Sequence, residues 1–444
     1  MSYILNTTEK ITMPSKAKHS AIEELFSNFT YGEKWNVSYE EQNHITVGNY
    51  LPCELDGFEF AVNITSDGVY IGAKDYPALM RGFTTFLEEI KYDEKKGNFF
   101  LEEKCIRKNP EIGLRCAHFC LFPDIRLDYM KKCIRSCAIA KYSHIIIEFW
   151  GTLKYDCLKE LGWPFAYSKS EIKELVNEAN ALGIEVIPMF NHLGHASQSR
   201  AIGGKHVVLD QNPRLEYMFD SYGWTWNFQK EEVYDLLSKV RDELIELCGE
   251  GSYFHLGCDE AYAYGHDIQN AEKLAEYLNK IEKELESKNR RAIIWHDMLL
   301  PSRLWKKKYY AQSDEDVSEL LIHSLDKNII IADWEYTEHE EIWESSKILK
   351  ENGFNVLCCP WDKRKNIDEA VSTLMEENLQ GMIYTTWHTL STGFYFLIYA
   401  GVKMYDADKS KLEDNGSFYS ANVVRKVFPS GGDYYESGWR KDWR

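Results

Sequence analysis

Two adjacent carboxylates, Asp259 and Glu260, end the segment His255-Leu256-Gly257-Cys258-Asp259-Glu260. Neighbouring carboxyl groups in unlike surroundings can divide acid and base work, because burial or a like charge raises one pKa and leaves the other group ionised. A carboxylic acid held near neutral pH can protonate a leaving glycosidic oxygen. An Asp-Glu pair alone is equally the mark of a solvated loop. This one follows directly on a buried-type strand and has similar company elsewhere. Other strand-like runs carry or end in Arg115 and His118, Glu148 and Trp150, Asn191-His192-Leu193-Gly194-His195, Trp295-His296-Asp297, Asp333-Trp334-Glu335-Tyr336, Pro360-Trp361-Asp362 and Trp387-His388. Polar, ionisable and aromatic side chains therefore recur at one end of successive elements.

The elements that must position them alternate strand, loop and helix from about residue 111. Strand-like runs fall at 113–119, 144–149, 185–190, 254–257, 292–295, 329–334, 355–359 and 382–387. Amphipathic helices lie between them. One runs over 231–248, with Val233, Leu236, Leu237, Val240, Leu244 and Leu247 at helical spacing, and another starts at the capping box Ser168/Glu171. Eight such units predict an α/β fold, a (β/α)₈ TIM barrel, over 106–444 with a C-terminal helical tail. The alternative topology is an open doubly wound sheet, which the missing Gly-rich dinucleotide turn disfavours. Residues 1–105 read as a small α+β domain, with strands at 58–64 and 69–71, a helix over 77–90 using one apolar face, and a surface turn at 93–98. In a TIM barrel the active site sits at the carboxyl ends of the strands, where the residues named above would gather.

Bulk composition narrows the partners. The formal net charge of -18 disfavours nucleic acid and polyanionic glycans. No apolar run is long enough for a membrane span, and the start lacks a basic segment followed by an apolar one, so a cytoplasmic location is expected. Eleven cysteines, without CxxC metal spacing, fit reduced thiols in a reducing compartment. No cofactor and no metal are expected, and a homodimer is kept as an open expectation. Aromatic residues make up 14% of the chain, enough to furnish flat faces for a sugar ring as well as a core.

The strand-four segment resembles the His-x-Gly-Gly-Asp-Glu signature of family 20 glycoside hydrolases, the β-N-acetylhexosaminidases, with Cys258 at the second Gly. Gly113-Leu114-Arg115, the stretch from Gly183 to Pro188 leading to Gly194-His195, Ile294 to Leu299, and Thr385-Thr386-Trp387 resemble further motifs of that family. The small domain with Asp67 to Ile71 before a helix resembles the unit preceding its barrel. The resemblance implies removal of a terminal β-linked GlcNAc or GalNAc from a glycan by substrate-assisted catalysis through an oxazolinium intermediate. By it Glu260 is the general acid and base, Asp259 orients the acetamido nitrogen, Tyr336 bonds the acetamido oxygen, and His195 supports the acid. Arg115, Glu148, Trp295, Asp297, Trp334, Trp361 and Trp387 would bind or wall the sugar. The chain departs from the pattern at Glu148, at Asn191 in place of Asp, and at Thr389 in place of a hydroxyl-binding Glu, a role open to Glu338 or Asp297.

Three other readings remain. A retaining glycosidase with Glu148 as protein nucleophile requires carboxyls about 5–5.5 Å apart. A glycan-binding protein on the same barrel would lack turnover. A metal hydrolase using His192, His195 and Asp259 finds no supporting ligand spacing.

Overall fold

The structure is a computed structural model that describes residues 2–197, 207–405, 412 and 416–427; Trp439 and Trp443 lie outside the described residues. Eight parallel strands close into a barrel in chain order: β1 (Leu114–Leu121), β2 (His144–Phe149), β3 (Glu185–Met189), β4 (Tyr253–His255), β5 (Arg291–Trp295), β6 (Ile330–Trp334), β7 (Asn355–Cys359) and β8 (Gly381–Thr385). β1 pairs with both β2 and β8, which seals the ring. All eight predicted strands are present. β4 is shorter than predicted, because Gly257 and Cys258 take left-handed backbone, with φ of 68° and 71°, and leave the extended conformation.

Side chains alternate across each strand, so only every second residue faces the barrel interior. The interior is filled by Leu114, Cys116, Ile146, Ile187, Ile293, Ile330, Leu357 and Ile383 below Met189, Trp295, Trp334 and Cys359. Following the same alternation past the strand ends carries His118, Glu148, Asp259, Asp297, Tyr336, Trp361 and Trp387 to the mouth. The outward residues pack under surrounding helices such as Lys169–Ala181, which opens with the Ser168/Glu171 capping box, and Glu231–Cys248, whose bounds match the apolar periodicity. Among the described residues no helix is long and apolar enough to cross a membrane.

Before the barrel, strands 36–40, 10–14, 44–48, 68–73, 60–64 and 104–108 form a six-stranded mixed sheet in that order, and 2–5, 98–102 and 91–93 form a separate ribbon. The sheet's last strand thus extends past residue 105. The helix Tyr76–Glu89 lies between this sheet and the barrel helix Leu127–Ile139. It was expected to bury one face; instead every residue from Ala78 to Leu87 is buried, since both sides are covered. Polar ties cross the seam. Tyr76 Oη donates to the Ala181 carbonyl at 2.6 Å, and Lys141 Nζ donates to Thr84 Oγ1 at 2.7 Å and Glu88 at 3.0 Å.

Arg115 belongs to this seam. It sits near the start of β1 with the outward parity of Ala117 and Phe119, away from the strand tips. Its Nε donates to the Lys141 carbonyl at 2.9 Å, and its Nη1 donates to the Ile112 and Gly113 carbonyls at 2.6 and 2.9 Å. The guanidinium lies 5.3 Å from the centre of the Tyr405 ring, whose hydroxyl donates to Glu59, itself paired with Arg81. Burial, then the charge of Arg81, pushes the Arg115 pKa down to about 10. The expectation that Arg115 binds a sugar is therefore corrected: it ties the amino end of the barrel to the N-terminal layer. Replacing it by Met leaves the buried Lys141 and Ile112 carbonyls without this donor. Arg115→Met is expected to cost about 3 kcal/mol, read as a lower urea midpoint at unchanged slope. An unchanged midpoint would contradict this role.

Candidate active site

The strand ends meet around Asp259 and Glu260. The backbone of Glu260 is itself left-handed, with φ of 52°, a strained conformation for a side-chain-bearing residue. It is held from both sides. Its N–H donates to Asp297 Oδ2 at 2.8 Å, and its carbonyl accepts from Trp224 Nε1 at 2.8 Å. The peptide is thereby fixed, and the Glu260 side chain, 27% exposed, points to the mouth.

His195 connects the pair. Its Nε2 lies 3.2 Å from Asp259 Oδ2 and 3.0 Å from Glu260 Oε2. A single imidazole thus spans both carboxylates, and its ring packs on Trp224 with centroids 4.3 Å apart. Asn191 Nδ2 donates to Asp259 Oδ1 at 3.3 Å, so Asn at this position supplies a donor that an ionised Asp would lack. The Tyr262 hydroxyl bonds to Glu260; burial, and then that carboxylate, raises its phenol above the ordinary range.

Opposite them stands an aromatic wall. Trp387 Nε1 donates to the Tyr336 hydroxyl at 2.6 Å, and the Tyr336 ring meets Trp361 edge-on at 5.2 Å and stacks on Trp334 at 5.3 Å. Burial raises the Tyr336 phenol well above its usual value, with the nearby charge of Asp259 contributing, so the hydroxyl keeps its proton and can donate it in a hydrogen bond. Trp361 Nε1 donates to Thr389 Oγ1 at 2.9 Å, which occupies the hydroxyl at the position where a carboxylate was expected. A cavity of about 550 Å³ opens between Tyr310, Tyr336, Glu338, Trp361 and Asp362. Glu338 and Asp362 are thus the carboxylates on its rim.

Four expected sugar contacts lie deeper than the sequence implied. Trp295 is 0% exposed and packs under the mouth against His255, His118 and Trp387. Trp334 is almost as deeply buried and donates from Nε1 to Asp297 Oδ1 at 3.4 Å. Asp297, also 0% exposed, has both oxygens engaged by Trp334 and Glu260. Burial, reinforced by the charge of Asp259, holds its carboxyl well above the ordinary carboxylate range. Asp297 and Trp295 support the site from beneath and do not face a ligand. Glu148, only 1% exposed, accepts from Cys120 Sγ at 3.3 Å and pairs with His118 Nε2 at 3.0 Å.

Trp224 was missed as a site residue, and His118, named on strand one, was given no role. His118 shares the inward parity of Leu114 and Cys116, a signal available in strand one. Trp224 lies in the long connection between β3 and the helix starting at Glu231, where no periodicity marks it. The metal-hydrolase arrangement does not form, because His192 Nδ1 turns to the Phe190 carbonyl at 2.7 Å and its ring packs against Phe190 and Phe254.

Comparison with known proteins agrees with this architecture. The catalytic domain of glycosyl hydrolase family 20 matches residues 147–390, more than half of the chain. Hexosaminidase D of Bos taurus is 26% identical over 268 residues, covering 55% of this chain and 75% of that protein. Hexosaminidase D of Homo sapiens is 25% identical, and the match spans only about half of its length, 53%. Among solved structures, the β-N-acetylhexosaminidase from Bacteroides fragilis shares the fold with a TM-score of 0.67 at 16% identity, covering 99% of this chain and 93% of its own. The chitobiase from Flavobacterium johnsoniae superposes with a TM-score of 0.69 at 14% identity, over 96% of this chain and 70% of its own. The barrel, the acidic pair at the end of β4 and the family match together make the chain a glycoside hydrolase belonging to family 20, the family of the β-N-acetylhexosaminidases.

Proposed function

We propose that the protein is a retaining exo-β-N-acetylhexosaminidase that releases terminal β-GlcNAc or β-GalNAc by substrate-assisted catalysis. The observation that carries the reading is the Asp259–His195–Glu260 bridge facing a protonated Tyr336 phenol across an aromatic-walled mouth. The substrate's acetamido oxygen attacks its own anomeric carbon while the bond to the leaving oxygen breaks, and Glu260 gives that oxygen its proton. Positive charge develops on the acetamido nitrogen, whose N–H faces Asp259; the Tyr336 hydroxyl orients the attacking oxygen. Water then adds to the anomeric carbon, Glu260 takes its proton, and the acetamido group is restored. One feature supports this over a covalent enzyme intermediate: Glu148 is buried and bonded to His118 and Cys120, a poor setting for a nucleophile.

Aryl β-GlcNAc, β-GalNAc and β-glucoside substrates test the reading. Hydrolysis of the acetamido sugars alone is expected, with Glu260→Gln lowering kcat/KM by about 10³ and Asp259→Asn lowering kcat by about 10². Equal turnover of the glucoside would sink the substrate-assisted scheme, and no turnover of any would favour a glycan-binding role. Asp297 acts through the Glu260 peptide and not on substrate. Asp297→Ala is therefore expected to reduce kcat by about tenfold or more with KM little changed. A mainly KM effect would make Asp297 a substrate contact after all.

A further inference from the structure

The tips of β6 and β7 carry two aromatic residues of the mouth, Tyr336 and Trp361, and a side chain joins the backbone between them. The two strands pair in register from Ile330 with Asn355 to Trp334 with Cys359. One further step sets Glu335 opposite Pro360. In a parallel ladder of that register, the next bond runs from the Trp361 N–H to the Glu335 carbonyl. Asn366 takes that place instead. Its Nδ2 donates to the Glu335 carbonyl at 2.8 Å, and its Oδ1 accepts from the Trp361 N–H at 3.0 Å. A side-chain amide carries a donor and an acceptor on one carbon, so it can answer both backbone groups at once.

Asn366 is itself fixed. It is only 1% exposed and is the third residue of the helix Arg364–Glu376. A tight turn, in which the Lys363 N–H donates to the Trp361 carbonyl at 2.8 Å, leads from β7 into that helix. Turning the amide away would leave two backbone groups unpaired, at the cost of their desolvation. The insertion spreads the two strand tips by the depth of one amide. The cavity of about 550 Å³ between Tyr336 and Trp361 opens at this place, with Asn366 in its lining. Tyr336 is thus held at both ends, by Asn366 through the preceding peptide and by Trp387 at the hydroxyl, 2.6 Å away. Trp361 is held likewise, by Asn366 at its N–H and by Thr389 Oγ1 at its indole, 2.9 Å away.

On the reading that the Tyr336 hydroxyl orients the attacking acetamido oxygen, we infer that Asn366 is a positioning residue for the hydrolysis. It sets the spacing of Tyr336 and Trp361, whose rings meet edge-on at 5.2 Å, and so places the phenol against that oxygen. The oxygen must approach the anomeric carbon as the leaving bond breaks. A misplaced phenol therefore slows the chemical step more than it weakens binding. A displacement of about 1 Å at an orienting group can cost about 10² in rate.

A double-mutant cycle on the full chain, with an aryl β-GlcNAc substrate, tests this role at a temperature where thermal melts show every variant folded. Asn366→Ala and Tyr336→Phe should each lower kcat by about 30-fold or more, with KM within about threefold of wild type. The double variant should fall no more than about threefold below the worse single one, because both changes remove the same contact. Asn366→Asp keeps the acceptor for the Trp361 N–H, loses the donor to the Glu335 carbonyl, and serves the same cycle where Asn366→Ala does not fold. Losses that multiply in the double variant would overturn the positioning role. So would a wild-type kcat in the Asn366 variant beside an impaired Tyr336→Phe, or a change confined to KM. An unimpaired Tyr336→Phe would instead sink the acetamido contact itself, and the role of Asn366 with it.

Discussion

The buried hydrogen bond from the Glu260 N–H to Asp297 Oδ2 holds the end of β4 against the end of β5. The rest of the site depends on it, because a residue with left-handed backbone does not keep its place by local preference. Three positions in this short turn, Gly257, Cys258 and Glu260, have φ between 52° and 71°. For the two that carry side chains the strain is on the order of 1–3 kcal/mol each. Asp297 on one side and the indole of Trp224 on the other over-determine the peptide and offset that strain. The same turn leaves no room at its neighbour: a Cβ on Gly194 would meet the Asp259 carbonyl oxygen at 2.0 Å. The glycine in the Gly194-His195 segment is thus a condition for His195 to approach both carboxylates.

Burial sets the chemistry of the groups around this turn. Asp297 is deep, close to Asp259, and held toward its protonated form; Glu260 stands partly in solvent. Tyr336 is screened from water by Trp334, Trp361 and Trp387, which keeps its hydroxyl a donor. Carboxylates and a phenol from three different strand ends thus acquire different tasks from their depth.

The N-terminal layer has another role. Its sheet and the helix Tyr76–Glu89 cover the barrel far from the mouth, and Arg115, Lys141 and Tyr405 answer its polar groups across the seam. A helix buried on both sides cannot show the one-sided apolar stripe of a surface helix, which is why Pro77 to Ile90 reads as simpler than it is. Four of the sheet's six strands, 10–14, 36–40, 44–48 and 104–108, went unread because short mixed strands with polar residues carry little periodic signal. Their pairing is made by partners distant in sequence.

By itself the sequence determined the barrel, because eight alternations of strand and helix pattern are a local property of each segment. It also located Asp259 and Glu260, since a charged pair directly after an apolar strand is visible without coordinates. It marked the aromatic rim at Tyr336, Trp361 and Trp387 for the same reason. Tertiary structure decided which face of each strand end looks into the mouth. Alternation along a strand is written in the chain, but which parity is inside depends on closure of the whole ring. Arg115, of outward parity, therefore moved from ligand to seam; Asp297 and Trp295 keep the inward parity but lie beneath the site because neighbouring side chains cover them, and His118 pairs with Glu148 at the same depth. Trp224 was assigned only by the fold, because an irregular connection has no period to read, and its partner, the Glu260 carbonyl, lies 36 residues away in the chain.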